Sequence, residues 1–275
     1  MASVSVPRSR TSAEPRLLRS ATHVLEYSLL AYRRSFRASL FSSFVQPSLF
    51  LAAMGLGLGG IVDRSGATIS LGGVSYLAFL APGLLASAGM QTAFSVATYP
   101  IVAAINWVRT YFAMIATPVT PRAIALGEMA FMVFRLWLVT GIFSLVALAF
   151  GVYRSPGGFF LAWVAAILTG LAFATPVAAY SATRKNAESF NALFRFGMTP
   201  LFLFSGTFFP LERLPAFLQP VAWLTPLYHG VALARGFALG TLDPATGVVH
   251  IAYLAILAGI GAIACIVTFE RRLVS

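Results

Sequence analysis

Glu128 and Arg135 stand seven residues apart inside an otherwise apolar stretch, and no other pair of charges is placed so deep in one. Seven residues is close to two helical turns, so both side chains fall near one face of a helix. The start of that helix is well marked: Thr120 can cap it and Pro121 suits its first position. Arg135 then lies about 20 Å along the axis at ~1.5 Å per residue. A charge at that depth is costly unless it faces protein or water. Two chemistries satisfy the condition. The guanidinium attracts an anionic headgroup such as a phosphate, or an internal ion pair fixes the packing of the helices.

The remaining reactive residue types are sparse. Cys265 is the single cysteine, which excludes an intramolecular disulfide or a cysteine metal cluster. His23, His229 and His250 are far apart in sequence and outside metal-ligand spacing, so no metal is expected. Ser205 in "FLFSGTF" lacks a full G-x-S-x-G setting, and His229 is a distant candidate base, so an intramembrane hydrolase is a weak reading. No G-x-x-x-x-G-K-[ST] occurs, and the single lysine, Lys185, follows no glycine loop. The chain is therefore not expected to cradle ATP phosphates, and no cofactor is expected on it.

Composition defines the elements that must position these residues. The 275 residues are 59% hydrophobic and 10% charged with a mean hydropathy of +0.84, against roughly a quarter charged in soluble domains. Such a chain reads as an all-α integral membrane protein. Six apolar stretches, about 40–62, 76–98, 122–150, 159–181, 189–209 and 248–269, are each long enough to cross a hydrocarbon core of about 30 Å. The lack of alternating short segments argues against a β-barrel. An ion-gradient-driven transporter would carry intramembrane carboxylates and repeated halves, yet Glu128 is the one acid well inside a marked span.

The basic residues orient these spans. Fourteen Arg and Lys fall before the first span, in the loops after the second and fourth, and after the sixth. Arg64, Arg154, Arg213 and Arg235 fall on the other side. The positive-inside rule then puts both termini in the cytoplasm and the chain in the cytoplasmic, or inner, membrane. The net charge of +11 is mostly this topology signal. Nucleic acid is not expected as a partner, because the basic residues are not gathered on one soluble face.

Residues 1–15 read as a disordered cytoplasmic tail. Residues 16–38 place Leu17, Leu18, Ala21, Val24, Leu25, Leu29, Tyr32 and Phe36 near a helical period with arginines and Glu26 opposite, the pattern of an interfacial helix in contact with membrane lipids. Gly55 and Gly59 in the first span, and Ala255, Ala258, Gly259 and Ala262 in the sixth, are expected helix-packing faces. Pro176 and Pro200 are expected to kink their helices. Residues 16–275 are read as one six-span domain.

Two segments break the apolar pattern. The stretch 105–129, "INWVRTYFAMIATPVTPRAIALGEM", is too polar for lipid and too apolar for a free loop, so it reads as an amphipathic element at the cytoplasmic surface. In 206–240, Pro210, Pro215, Pro220 and Pro226 recur every five or six residues among apolar ones. That spacing forbids a continuous span and predicts short re-entrant helices in the outer leaflet between spans 5 and 6. Phe208, Phe209, Phe217, Trp223 and Tyr228 there form either an anchoring aromatic belt or a lid over an exit path.

The order of interfacial helix, six spans, "RTYFAMIATPVTPRAIALGEM" and "FLFSGTFFPLERLPAFLQPVAWLTPLYHGVALARG" resembles the permease subunits of type-2 ABC exporters. Within these it is most similar to the nodulation lipo-oligosaccharide and daunorubicin-resistance permeases. The resemblance implies a coupling-helix loop over about 99–121 that docks on an ABC ATPase dimer, with Asn106, Trp107, Arg109, Thr110, Tyr111 and Thr117 as contacts. It implies a second permease copy or paralogue around the pathway. It also implies export of a lipid-linked oligosaccharide, glycolipid or other lipid, or alternatively of hydrophobic drugs. Glu128, Arg135, Phe208, Phe209, Trp223 and Tyr228 are the expected pathway residues.

Overall fold

The computed structural model describes residues 13–34, 36–64 and 73–274. The tail expected over 1–15 lies outside them, except for three residues that open the first helix. The chain is helical, with no strand among the described residues. Helix α1, Ala13–Arg33, is followed by α2, Phe36–Ala52, a π-helical turn Ala53–Leu58 and α3, Gly59–Arg64. Thus 16–38 is not one helix: its last residues already belong to α2. Then come α4, Tyr76–Ala97; α5, Tyr99–Val102; a π turn Ala103–Trp107; α6, Thr110–Ile115; α7, Pro121–Ala149; and α8, Pro156–Ala182. Helices α9, Glu188–Ala192, and α10, Thr199–Phe204, flank a π turn Leu193–Met198. The rest is a 3-10 turn Leu211–Arg213, α11 Gln219–Trp223, α12 Pro226–Leu239 and α13 Pro244–Val274.

Among the described residues five helical runs are long and apolar enough to cross a membrane: Ser39–Val62, Tyr76–Trp107, Pro121–Ala149, Pro156–Ala182 and Pro244–Val274. The stretch expected as a further span over 189–209 is helical only over α9, its π turn and α10, and stops at Phe204. Pro200 explains the π turn. Its ring crowds the carbonyl four residues back and its nitrogen donates nothing, so the backbone widens just before it. The second run is longer than its apolar pattern indicates, because the helix resumes at Tyr99 after a break at Thr98, whose φ and ψ are −106° and −96°. The Thr98 hydroxyl donates to the Phe94 carbonyl at 2.7 Å, offering that carbonyl an alternative to the helical ladder.

Helix α8 is the central strut, touching α4, α7, α12 and α13. Small residues permit this. A Cβ on Gly89 of α4 would stand 2.5 Å from the Ala166 carbonyl of α8. Gly230 of α12 abuts Thr169 in mid-α8, while Gly158 at the start of α8 abuts the Phe237 and Ala238 carbonyls. Those two contacts make α12 antiparallel to the N-terminal half of α8. On α13, the buried stripe is His250, Leu254, Gly261, Cys265 and Phe269. This corrects the expected small-residue face: Ala255 is exposed and Gly259 has nothing within 4 Å, whereas Gly261 meets Thr175 and Pro176. Helix α8 runs unbroken through Pro176, and the Thr175 hydroxyl crosses to the Ala258 carbonyl at 2.9 Å.

Helix α1 lies against α7 along Ala21, Val24 and Ser28, its buried i, i+3, i+7 stripe. Gly127 admits it. A Cβ there would come within 2.6 Å of Val24 Cβ and 2.8 Å of the Ala21 carbonyl.

Candidate functional site

Thr120 and Pro121 start α7 as their types require, the Thr120 hydroxyl accepting from the Ala123 N–H at 3.2 Å. That sets the rotation of Glu128 and Arg135, yet the two do not meet. Ser28 of α1 donates to the Glu128 carboxylate at 3.3 Å, and the Tyr111 side chain lies beside the same group. Arg135 donates from Nη1 to Ser39 Oγ at 2.8 Å and stacks its guanidinium 4.3 Å from the centre of the Tyr32 ring. Among the described residues the ion pairs are His23–Glu26 and Arg122–Glu270. The internal Glu128–Arg135 pair considered above therefore does not form, because each side chain finds a nearer partner on α1, α2 or α6.

Arg135 lines a cavity of about 550 Å³ between α2, α4 and α7. Ser39, Ser43, Gln91, Thr92 and Ser95 share its wall, with Phe50, Leu84, Phe143 and Phe202. The serines, threonine and glutamine were not anticipated. Ser39 and Ser43, and Gln91 and Ser95, recur at i, i+4 within apolar stretches, which puts each pair on one helical face and was the signal available.

The aromatic residues expected along the pathway separate into two places. Phe208 packs its ring 5.0 Å from Phe202, near the cavity, and Tyr76 reaches the Phe208 carbonyl at 3.5 Å. Half-buried Phe209 follows it. Trp223 and Tyr228 instead surround His229, with ring centres 5.7 and 5.5 Å away. His229 and His250, 21 residues apart, bring their Nδ1 atoms to 2.7 Å, both rings buried. Distance in sequence concealed this contact, since the α12–α13 turn folds one helix back on the other. Ser205 bonds Thr207 at 2.8 Å and faces no histidine, so the Ser205–His229 dyad of the hydrolase reading does not form. Arg235 lies inside rather than in an outer loop. It donates to the carbonyls of Phe79 at 3.0 Å and Gly206 at 2.9 Å, over the Phe79 ring, clamping the 205–210 segment to α4.

At the opposite end, Asn106 ties three segments. Its amide donates to the Arg184 and Lys185 carbonyls at 3.0 and 3.2 Å and accepts from Arg272 at 3.0 Å. Beyond it the chain turns outward: Trp107 is 59% and Val108 71% exposed. Arg109 adopts φ 58°, the left-handed region unusual for a long side chain, and Thr110 begins α6. Tyr111 is buried 5.6 Å from Phe269, while Thr117 is exposed with its hydroxyl on the Met114 carbonyl. Of the expected contact residues, Asn106 and Tyr111 thus face the protein; Trp107, Arg109 and Thr117 face outward.

Long apolar helices packed around a central strut, with half-buried Arg135 on a polar-lined cavity, define a multi-pass membrane protein. The chain belongs to the ABC-2 type transporter family, whose profile matches residues 21–239. It is similar to nodulation protein J of Rhizobium leguminosarum bv. trifolii, 33% identical over 211 residues covering 77% of this chain and 78% of that protein. The nodulation protein J of Rhizobium meliloti (strain 1021) is 32% identical over 219 residues, 77% and 78% of the two chains. That of Rhizobium leguminosarum bv. viciae is 31% identical over 252 residues, 89% and 91%. The protein is therefore a membrane-spanning permease subunit of an ABC exporter in the cell membrane, partnered by a separate ABC ATPase subunit.

Proposed function

We propose that this permease exports an amphipathic substrate, a lipid-linked oligosaccharide, glycolipid or other lipid, when ATP closes the partner ATPase dimer. The observation that carries the reading is the exposed Trp107–Val108–Arg109 knuckle at the end of the Tyr76–Trp107 helix, held by Asn106 to the 184–185 loop and to α13. A push on that knuckle is delivered to a spanning helix and two further cytoplasmic-side segments together. Trp107, Arg109 and Thr117 are the docking contacts; Asn106, Thr110 and Tyr111 position them. Both termini are cytoplasmic, α9–α10 completes a sixth span, and 206–240 is re-entrant from the outer side. A second permease copy or paralogue completes the pathway, whose residues include Glu128, Arg135 and Phe208. ATP and Mg bind the partner alone.

Purification from native membranes tests this. A tightly bound ATPase, and a Trp107→Cys variant that crosslinks to it, are expected. Vanadate-insensitive transport by this chain alone overturns the reading. Hydrophobic-drug export is the second reading, favoured by the apolar aromatic wall of the cavity, Phe50, Phe143 and Phe202.

A further inference from the structure

The cavity at Arg135 is divided along its length. Arg135 and Ser39, joined by their 2.8 Å hydrogen bond, mark one end. Phe143 lies eight residues beyond Arg135 on α7, about 12 Å at ~1.5 Å per residue, and Phe50 lies eleven beyond Ser39 on α2. Phe50, Leu84, Phe143 and Phe202 converge on one apolar cluster, which marks the other end. On α4, Gln91 and Ser95 are seven and eleven residues from Leu84, so they stand away from that cluster. The lining is polar and cationic at one end and aromatic at the other, and about 550 Å³ lies within the range of ligand pockets.

The guanidinium at the polar end has a hydroxyl and a ring face as partners and no carboxylate among the described residues within ion-pair distance. A cation held in low dielectric without a counter-ion is costly, and an anion that also brings its own apolar tail removes that cost. We infer that this cavity binds an amphipathic anion, its phosphate, sulfate or carboxylate at Arg135 and its alkyl chain along Phe50, Leu84, Phe143 and Phe202. Either a bilayer phospholipid or the exported molecule has this chemistry. Calling the occupant a substrate rests on the exporter reading; binding itself does not.

The test uses the full chain with its native partners in nanodiscs of phosphatidylcholine, with radiolabelled dodecyl phosphate as probe. Saturable binding is expected, displaced by dodecyl sulfate but not by dodecyl maltoside or dodecyltrimethylammonium. Arg135→Gln should weaken it at least about tenfold, the loss of one charged hydrogen bond, and Arg135→Lys by less. Ser43→Leu keeps the arginine and fills the cavity, so it should also abolish binding; it decides the matter if Arg135→Gln does not fold. Phosphatidylglycerol discs that compete with the probe identify a bilayer lipid as occupant, and discs that do not identify the exported molecule. Equal binding of dodecyl maltoside, or undiminished binding in a folded Arg135→Gln or in Ser43→Leu, overturns the inference. Since no ATP is used, that failure is distinct from failure to recover an ATPase.

Discussion

Single residues decide close approaches here. A methyl at position 127 has no room against Val24 and Ala21, so Gly127→Leu should separate α1 from α7 at a cost of about 1–3 kcal/mol. A lowered thermal midpoint in detergent, with Gly259→Ala unchanged because nothing lies near Gly259, checks it. Asn106→Ala leaves two carbonyls and a guanidinium without their partner, a loss of about 1–3 kcal/mol, visible as faster proteolysis at 184–187. The His229–His250 contact at 2.7 Å needs one donating and one accepting nitrogen. Acid that protonates both rings removes the acceptor, so this α12–α13 link weakens as pH falls and is restored as it rises. Burial lowers the His229 pKa to about 4, so labelling of a cysteine placed at Tyr253, followed from pH 7 to pH 3, measures it.

The elements owe their irregularities to identifiable residues. Pro200 widens the turn before it, Thr98 breaks α4, and Arg109 reverses the chain in a left-handed conformation that costs a side-chain-bearing residue about 1–2 kcal/mol. Glycine adopts that conformation freely. Arg109→Gly should therefore raise the stability of the permease slightly while weakening retention of the ATPase, a split read by melting and co-purification. A purely structural arginine would move neither in opposite directions.

Across the whole molecule, spans differ in how much protein surrounds them. The Tyr76–Trp107 run is 78% buried over its most apolar window, but Ser39–Val62 and Pro244–Val274 are 19% and 17% buried, which leaves them to lipid or a second permease. The proposed topology puts Asn186 and Thr241 on opposite membrane sides. Asn186→Cys in right-side-out vesicles should resist a membrane-impermeant maleimide and Thr241→Cys should react, buried Cys265 giving no background. Reaction of both from outside would reject the topology.

Membrane residence, three of the spans nearly to their ends, and the cap at Thr120 were legible in the chain itself. Each depends on local hydropathy or on hydrogen bonds within a few residues, which any one segment carries alone. Awkward polarity marked the wider stretch 105–129, of which 107–109 is an exposed turn while 121–129 belong to α7. What no segment carries is its rotation about its own axis relative to a neighbour. Glu128 and Arg135 share a helical face, yet α1 and α2 supply partners that separate them. His229 meets His250, Arg235 turns inward to α4, and Asn106 joins a loop 78 residues away and α13 166 residues away because α8 gathers the helices through glycine contacts. Long-range packing chose those partners, and with them the cavity at Arg135.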